Sequence, residues 1–256
     1  MIRAALAERN GVGRRDHADA VTLYCFSCAG ASASTYAHWR RALSPSVLVR
    51  PVELPGRGVR MKEALLRDFD QIIDDLSQRL LCEELGRYAF FGHSMGALLA
   101  YGCAHSIMDR CGTPPSALIA ACSAAPSRRS DARLSALKGD AALIEEMRRL
   151  GGTPKEVFEH EELLRLTLDV LAADFAVCAS FKYRVRPLLP SRLIVVGGKN
   201  DSIAPTALAG WRDEGLHGAT ITRFEGGHFF FKEKESEFLD FLAERLLEFA
   251  EAGEAP

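Results

Sequence analysis

Residues Gly92-His93-Ser94-Met95-Gly96 set a serine between two glycines in the pattern G-x-S-x-G. A serine hydroxyl attacks a carbonyl only when a base removes its proton, so the pattern carries chemistry if a histidine and a carboxylate can reach it. Its context favours that use. Tyr88–Phe91 reads as a short buried strand, and a helical pattern begins at Met95. A serine on the sharp turn between strand and helix is held outward, and the flanking glycines leave room where side chains would clash. The helix N-terminus behind it favours developing negative charge.

In this setting the acid and the histidine follow the serine in the chain. Downstream lie His105, His160, His217 and His228. His105 falls on the helix that Ser94 starts, about three turns along, and cannot fold back. His160 lies in a helical insertion, and His217 precedes the final strand, at the wrong end. His228 follows that strand in Glu225-Gly226-Gly227-His228 and is the expected base. The run Arg192–Gly198 leads into Lys199-Asn200-Asp201, so Asp201 ends at the same sheet edge and is the expected acid, with Asp213 and Glu225 as fallbacks. An oxyanion needs two backbone N–H donors. They are expected from Met95, just after the nucleophile, and from Ala29 in the small-residue loop Ser27-Cys28-Ala29-Gly30-Ala31.

The elements that must position these groups alternate. Val21–Phe26, Val47–Leu54, Tyr88–Phe91, Ala117–Cys122, Leu193–Val196 and Ile221–Phe224 are strand candidates without polar alternation, the pattern of strands covered on both faces. Tyr36–Leu43, Phe69–Leu81, Met95–Met108 and Glu235–Phe249 have helical spacing. The expected fold is α/β: a mostly parallel central sheet with helices on both faces, the α/β-hydrolase arrangement. About residues 127–187 carry only helical patterns, such as Ala141–Leu150 and Glu161–Phe175, and are expected to form a lid. Residues 1–20 read as a flexible lead, 21–250 as one domain and 251–256 as a loose tail.

Composition narrows the function. A net charge of −2 and the lack of a lysine/arginine run interleaved with aromatics argue against nucleic acid. No stretch is apolar and long enough for a membrane span, and the first twenty residues lack the apolar core of a signal peptide. Seven scattered cysteines in a chain of 256 residues read as reduced thiols, so a cytoplasmic protein is expected. Cys25-Phe26-Ser27-Cys28 forms a C-x-x-C, but its loop is already needed beside the serine and no second pair supports a metal. His160-Glu161 lacks the second histidine of a zinc motif, and no glycine-rich phosphate or dinucleotide loop occurs.

With these residues in place the chain resembles the type II thioesterases that accompany modular polyketide and nonribosomal peptide synthases. The likeness covers about residues 20–250. Beyond Gly-His-Ser-Met-Gly it includes Leu54-Pro55-Gly56-Arg57-Gly58, Arg149-Leu150-Gly151-Gly152-Thr153-Pro154, Ala173-Asp174-Phe175, Phe181-Lys182-Tyr183-Arg184 and Gly226-Gly227-His228-Phe229-Phe230. It departs from the family at the oxyanion loop, where a proline and often an aromatic or histidine precede Ala-Gly-Gly. The resemblance implies hydrolysis of stalled or wrong acyl groups from the phosphopantetheine arm of acyl or peptidyl carrier proteins, with no metal or dissociable cofactor, the pantetheine belonging to the substrate; a monomer is expected. Two other readings stay open: a thioesterase that releases finished products, and a carrier-binding protein with a vestigial triad. Arg128, Arg129 and Arg133 form either a surface for an acidic carrier or a solvated basic turn.

Overall fold

The computed structural model describes residues 20–83, 85–130, 134 and 136–252, with side chains as far as Glu248. The expected N-terminal lead therefore lies outside the described residues except for Ala20, as do 253–256 of the expected tail. Among the described residues six strands form: β1 (Val21–Phe26), β2 (Val47–Val52), β3 (Tyr88–His93), β4 (Ala117–Ala121), β5 (Arg192–Gly198) and β6 (Ala219–Phe224). They pair in the order β2-β1-β3-β4-β5-β6, every pair parallel. All residues of β3 and β4 are buried, as an apolar run without alternation requires. β2 lies at the edge, where Pro51 removes no hydrogen bond that a central strand would need.

Parallel pairing forces each connection across a face of the sheet. Among the described residues the helices include α1 (Trp39–Leu43), α2 (Phe69–Leu81), α3 (Met95–Cys111), α4 (Asp140–Leu150), α5 (Lys155–Glu159), α6 (Glu161–Ser180), α7 (Pro205–Ala209), α8 (Phe230–Glu233) and α9 (Glu235–Ala252). On one face Tyr24, Phe26, Phe90 and Val195 pack against α2 and α3. On the other, Leu23, Phe91, Ile119 and Val196 meet Trp39 and Leu43 of α1 and Phe238 and Leu242 of α9. Each fully buried aromatic or leucine side chain in these layers contributes about 1.5–3 kcal/mol. Helix α2 starts where the Asp68 carboxylate accepts from the Gln71 amide at 3.0 Å, and it buries Phe69, Ile72, Ile73, Leu76 and Leu80, the stripe its periodicity predicts.

Most of the expected boundaries move by one to three residues: β3, β5, β6 and α3 are longer than expected and β4 ends one residue earlier. The helix expected over Tyr36–Leu43 divides into a 3₁₀ turn, Ala33–Tyr36, and α1, with Tyr36 and Trp39 both buried. The strand expected to run to Leu54 stops at Val52. Helix α9 runs to Ala252, into the stretch read as tail.

Between β4 and β5 the described residues hold no strand, and α4, α5 and α6 stand there as a helical insertion. Leu143, Met147, Leu168, Leu171 and Phe175 give it a small core of its own. The last turns of α6 leave that cluster and join the main core through Val177 and Cys178. The chain winds outward from β1 to β2 and then the opposite way through β3 to β6. Such a reversal opens a crevice at the carboxyl ends of β1 and β3, the usual ligand position in parallel sheets.

Candidate active site

Ser94 stands at that crevice, between β3 and α3, with φ 56° and ψ −113°. A positive φ on a residue with a side chain is strained and persists only where the surroundings impose it. Here the Ser94 amide donates to the Ala121 carbonyl at 2.8 Å. A Cβ on Gly92 would fall 2.3 Å from the Gly96 carbonyl oxygen, and one on Gly96 would fall 2.1 Å from that of Phe26. The second approach presses the end of β1, and the loop that follows, against the start of α3. The amides of Ala29 and Met95 find no acceptor in the protein among the described residues. For Met95 this follows from its place at the first position of a helix.

Asp201 and His228, the expected acid and base, come together after β5 and β6. His228 Nδ1 lies 3.0 Å from Asp201 Oδ2, with the two side chains 12% and 2% exposed. Their loops are zipped by Lys199 and Asn200, whose amides donate to the carbonyls of Phe224 and Gly226 at 2.8 and 2.9 Å. Gly198 has to be a glycine, because a Cβ there would sit 2.2 Å from the Gly227 carbonyl. The fallback acids are engaged elsewhere: Asp213 with Arg128 and Glu225 with Lys199. His105 lies on α3, His160 at the start of α6 and His217 before β6, where sequence reasoning set them aside.

Burial would raise the Asp201 carboxyl, but the hydrogen bond and charge of His228, the Cys122 thiol and the Ile203 amide outweigh it and hold the group below its ordinary value. It is therefore an anion at neutral pH, able to fix one imidazole tautomer and stabilise an imidazolium. Cys122, itself at φ 49°, was not anticipated from the sequence. His93, the middle residue before the serine, donates from Nε2 to the His228 carbonyl at 2.8 Å and packs its ring 4.9 Å from that of His228. Burial, with the neighbouring His228 charge, pushes its pKa down to about 3, so it is a neutral brace tying the nucleophile turn to the histidine loop.

A cavity of about 310 Å³ opens beside these groups, lined by Cys28, Ala29, Met147, Leu171, Phe229 and Lys232 among others. The insertion closes over it through the loop after α4. Lys232 Nζ donates to the Gly152 carbonyl at 3.0 Å and lies 4.6 Å from the centre of the Phe229 ring. Cys25 and Cys28 are free thiols. Burial raises both, Cys28 to about 11 despite the nearby Lys232, so neither is the thiolate that redox chemistry requires. Of the three arginines considered as a docking surface, Arg128 pairs with Asp213 at 3.3 Å and Arg129 donates to Ser123 Oγ at 3.3 Å, while Arg133 lies outside the described residues. No helix among the described residues is long and apolar enough to cross a membrane.

Comparison with known proteins gives the family and the fold. The chain is 33% identical to a Brevibacillus parabrevis protein named linear gramicidin dehydrogenase LgrE, over 86% of this chain and 85% of that one. It is 32% identical to thioesterase PikA5 of Streptomyces venezuelae, over 89% and 82%. The solved structure of BorB, a type II thioesterase from the borrelidin biosynthetic cluster, superposes with a TM-score of 0.80 at 33% identity, covering 89% of this chain and 93% of that one. A family model described as the thioesterase domain matches residues 21–248. The crevice thus belongs to a chain with the α/β-hydrolase fold, and that chain is a member of the thioesterase domain family.

Proposed function

We propose that the protein is a type II thioesterase that hydrolyses stalled or wrong acyl groups from the phosphopantetheine arm of acyl or peptidyl carrier proteins in polyketide and nonribosomal peptide assembly. The observation that carries this reading is a hydrogen-bonded His228–Asp201 pair after β5 and β6, at the same sheet edge as the strained Ser94 after β3, in a chain of the thioesterase family. His228 takes the Ser94 proton as Oγ bonds to the thioester carbon, and the carbonyl electron pair moves onto oxygen, held by the amides of Ala29 and Met95. Collapse breaks the C–S bond, and the imidazolium returns its proton to the departing pantetheine thiolate. Water, deprotonated by His228, then adds to the acyl-serine, and Ser94 leaves with the proton as the free acid forms. The chain's own groups complete this cycle, so the mechanism calls on no metal or dissociable cofactor.

The cavity of about 310 Å³ is at the lower end of the roughly 300–1,000 Å³ usual for small-molecule sites. The dehydrogenase name of one relative finds no counterpart here, since the turn after β1 reads Ser27-Cys28-Ala29-Gly30-Ala31 and not a glycine-rich dinucleotide fingerprint. We place the protein in the cytoplasm, acting as a monomer on carrier domains.

The test loads one carrier with acetyl, propionyl and longer acyl groups and follows release by wild type and Ser94→Ala. Fast, broad release abolished by Ser94→Ala, with much weaker turnover of free acyl-pantetheine, is expected. Strong preference for one long chain would favour product release. Activity equal in both proteins would make the triad vestigial, and cleavage of simple esters alone would leave a general esterase.

A further inference from the structure

The loop that carries Ala29 is gripped by a buried ion pair that the proposed reaction does not use. Arg57, in the turn after β2, meets Asp174 of α6 through two parallel hydrogen bonds, Nη1 to Oδ2 at 2.7 Å and Nη2 to Oδ1 at 2.6 Å. The two side chains are 7% and 0% exposed. Both partners also hold the loop. The Gly30 amide donates to Asp174 Oδ2 at 2.8 Å, and Arg57 Nη1 donates to the Ala31 carbonyl at 3.2 Å. Gly30 has φ +79°, and Leu171, one helical turn before Asp174, sits 3.3 Å from where its Cβ would be. The two residues just after Ala29 are therefore held by a carboxylate and a leucine of the inserted helix at Gly30 and by a guanidinium at Ala31. A buried, bidentate pair is an expensive device for stability alone, because desolvating two charges offsets much of their attraction. It is well suited to holding a planar geometry to a few tenths of an ångström.

We propose that Arg57 and Asp174 are positioning residues for the oxyanion loop: they hold the Ala29 amide where negative charge develops, and they make that placement depend on the seating of α6. This rests on the reading of Ser94 and Ala29 given above. The insertion then does more than enclose the cavity, since its helix supplies the carboxylate that shapes one half of the oxyanion site.

The test uses the full-length protein with Arg57→Lys, which keeps the charge but loses the planar fork, and Asp174→Asn. Active sites are counted by fluorophosphonate labelling of Ser94, so that misfolded protein does not count. Removing one oxyanion donor costs about 10²–10³ in rate, and misplacing one should cost less, so kcat per titrated site is expected to fall about tenfold in each variant with KM within about twofold. Affinity for an alkylboronic acid, whose tetrahedral adduct needs the same donors, is expected to weaken by a similar factor. A merely structural role would lower the melting temperature and the titratable fraction but leave both of these per-site values unchanged, and that result would overturn the proposal. So would a loss of kcat with unaltered boronate affinity. If Asp174→Asn does not fold, the charge-retaining Arg57→Lys decides. Turnover that survives Ser94→Ala would fell the underlying reading. A dead Ser94→Ala beside an Arg57→Lys of wild-type kcat would fell the positioning role alone.

Discussion

The carboxyl edge of the sheet and the helical insertion above it are built on different terms. At the edge, Ser94, Asp201 and His228 follow β3, β5 and β6, strands locked by parallel pairing and by cores on both faces. Backbone meets backbone there with no room for a methyl group, as at Gly92, Gly96 and Gly198. The insertion has only a small cluster of its own, and none of α5 is buried. It is tied down by side chains, Arg57 with Asp174 and Lys232 with Gly152, while Arg165 with Asp140 joins two of its own helices. The nucleophile, acid and base positions are carried by strands, whereas the insertion, apart from the Asp174 that grips the oxyanion loop, is left to contacts that open at lower cost.

The sharpest way to break this comparison is to ask whether the edge acts as one unit. Ser94→Ala and His228→Ala are each expected to lower kcat by about 10⁴-fold or more, and the double variant no further, since neither residue works without the other. Asp201→Asn is expected to lose about 10⁴-fold by stabilising the wrong tautomer. Single-turnover release of acyl groups from a carrier measures all four. Losses that simply add would show that these residues do not act together.

Gly96→Ala attacks the scaffold without touching a reacting group. Its Cβ would meet the Phe26 carbonyl at 2.1 Å, so either α3 or the end of β1 must move. A stability loss of about 1–3 kcal/mol in urea unfolding is expected, together with a fall in kcat as the oxyanion loop shifts. Wild-type stability and rate would mean that the edge is softer than its packing implies.

How much of this was legible in the sequence divides along the same line. The nucleophile turn was readable because it is local: a buried strand, two glycines and a helix start within ten residues. His228 and Asp201 followed because each ends a strand at one edge, a consequence of parallel topology. Arg57 and Asp174 were visible only as pieces of motif. Nothing local announces that residues 117 positions apart will share two hydrogen bonds. Cys122 beneath Asp201, the His93 brace and the Lys232 clasp were missed for the same reason: side-chain pairing is decided by tertiary packing, after the backbone pattern has been spent. The break between Ala33–Tyr36 and α1 escaped because Tyr36 and Trp39, three residues apart, fit a 3₁₀ turn as well as an α-helix.

In the insertion, Met147→Ala tests the softer half. Met147 is 4% exposed, belongs to the small cluster and lines the cavity. Truncation is expected to cost about 2 kcal/mol, the low end for such a change, because the cluster is thin and can collapse. Turnover of the shortest acyl-carrier should be nearly unchanged while longer acyl groups gain in kcat/KM through the enlarged chamber. If the shortest substrate suffers as much as in Gly96→Ala, the insertion is as rigid as the edge.

The gentlest test is acid. His93 and His105 are each 1% exposed and belong to β3 and α3, within the sheet and its packing. Burial, with the charge of His228 on one and of Arg186 on the other, lowers their pKa values to about 3 and about 4. An unfolded histidine takes a proton near pH 6.5, so between that value and about 4 the unfolded chain binds protons that the folded chain refuses. The stability conferred by neutral, buried imidazoles is complete above pH 6.5 and is lost as pH falls toward the folded values, by about 1.4 kcal/mol per pH unit for each histidine. Urea midpoints of wild type should therefore fall steeply from pH 7 to 5, and His93→Gln, which keeps a donor for the His228 carbonyl but cannot titrate, should halve the slope. An unchanged slope would mean that His93 is already protonated in the folded protein, and then the brace between the nucleophile turn and the histidine loop would carry a charge beside His228 that the proposed proton transfers could not tolerate.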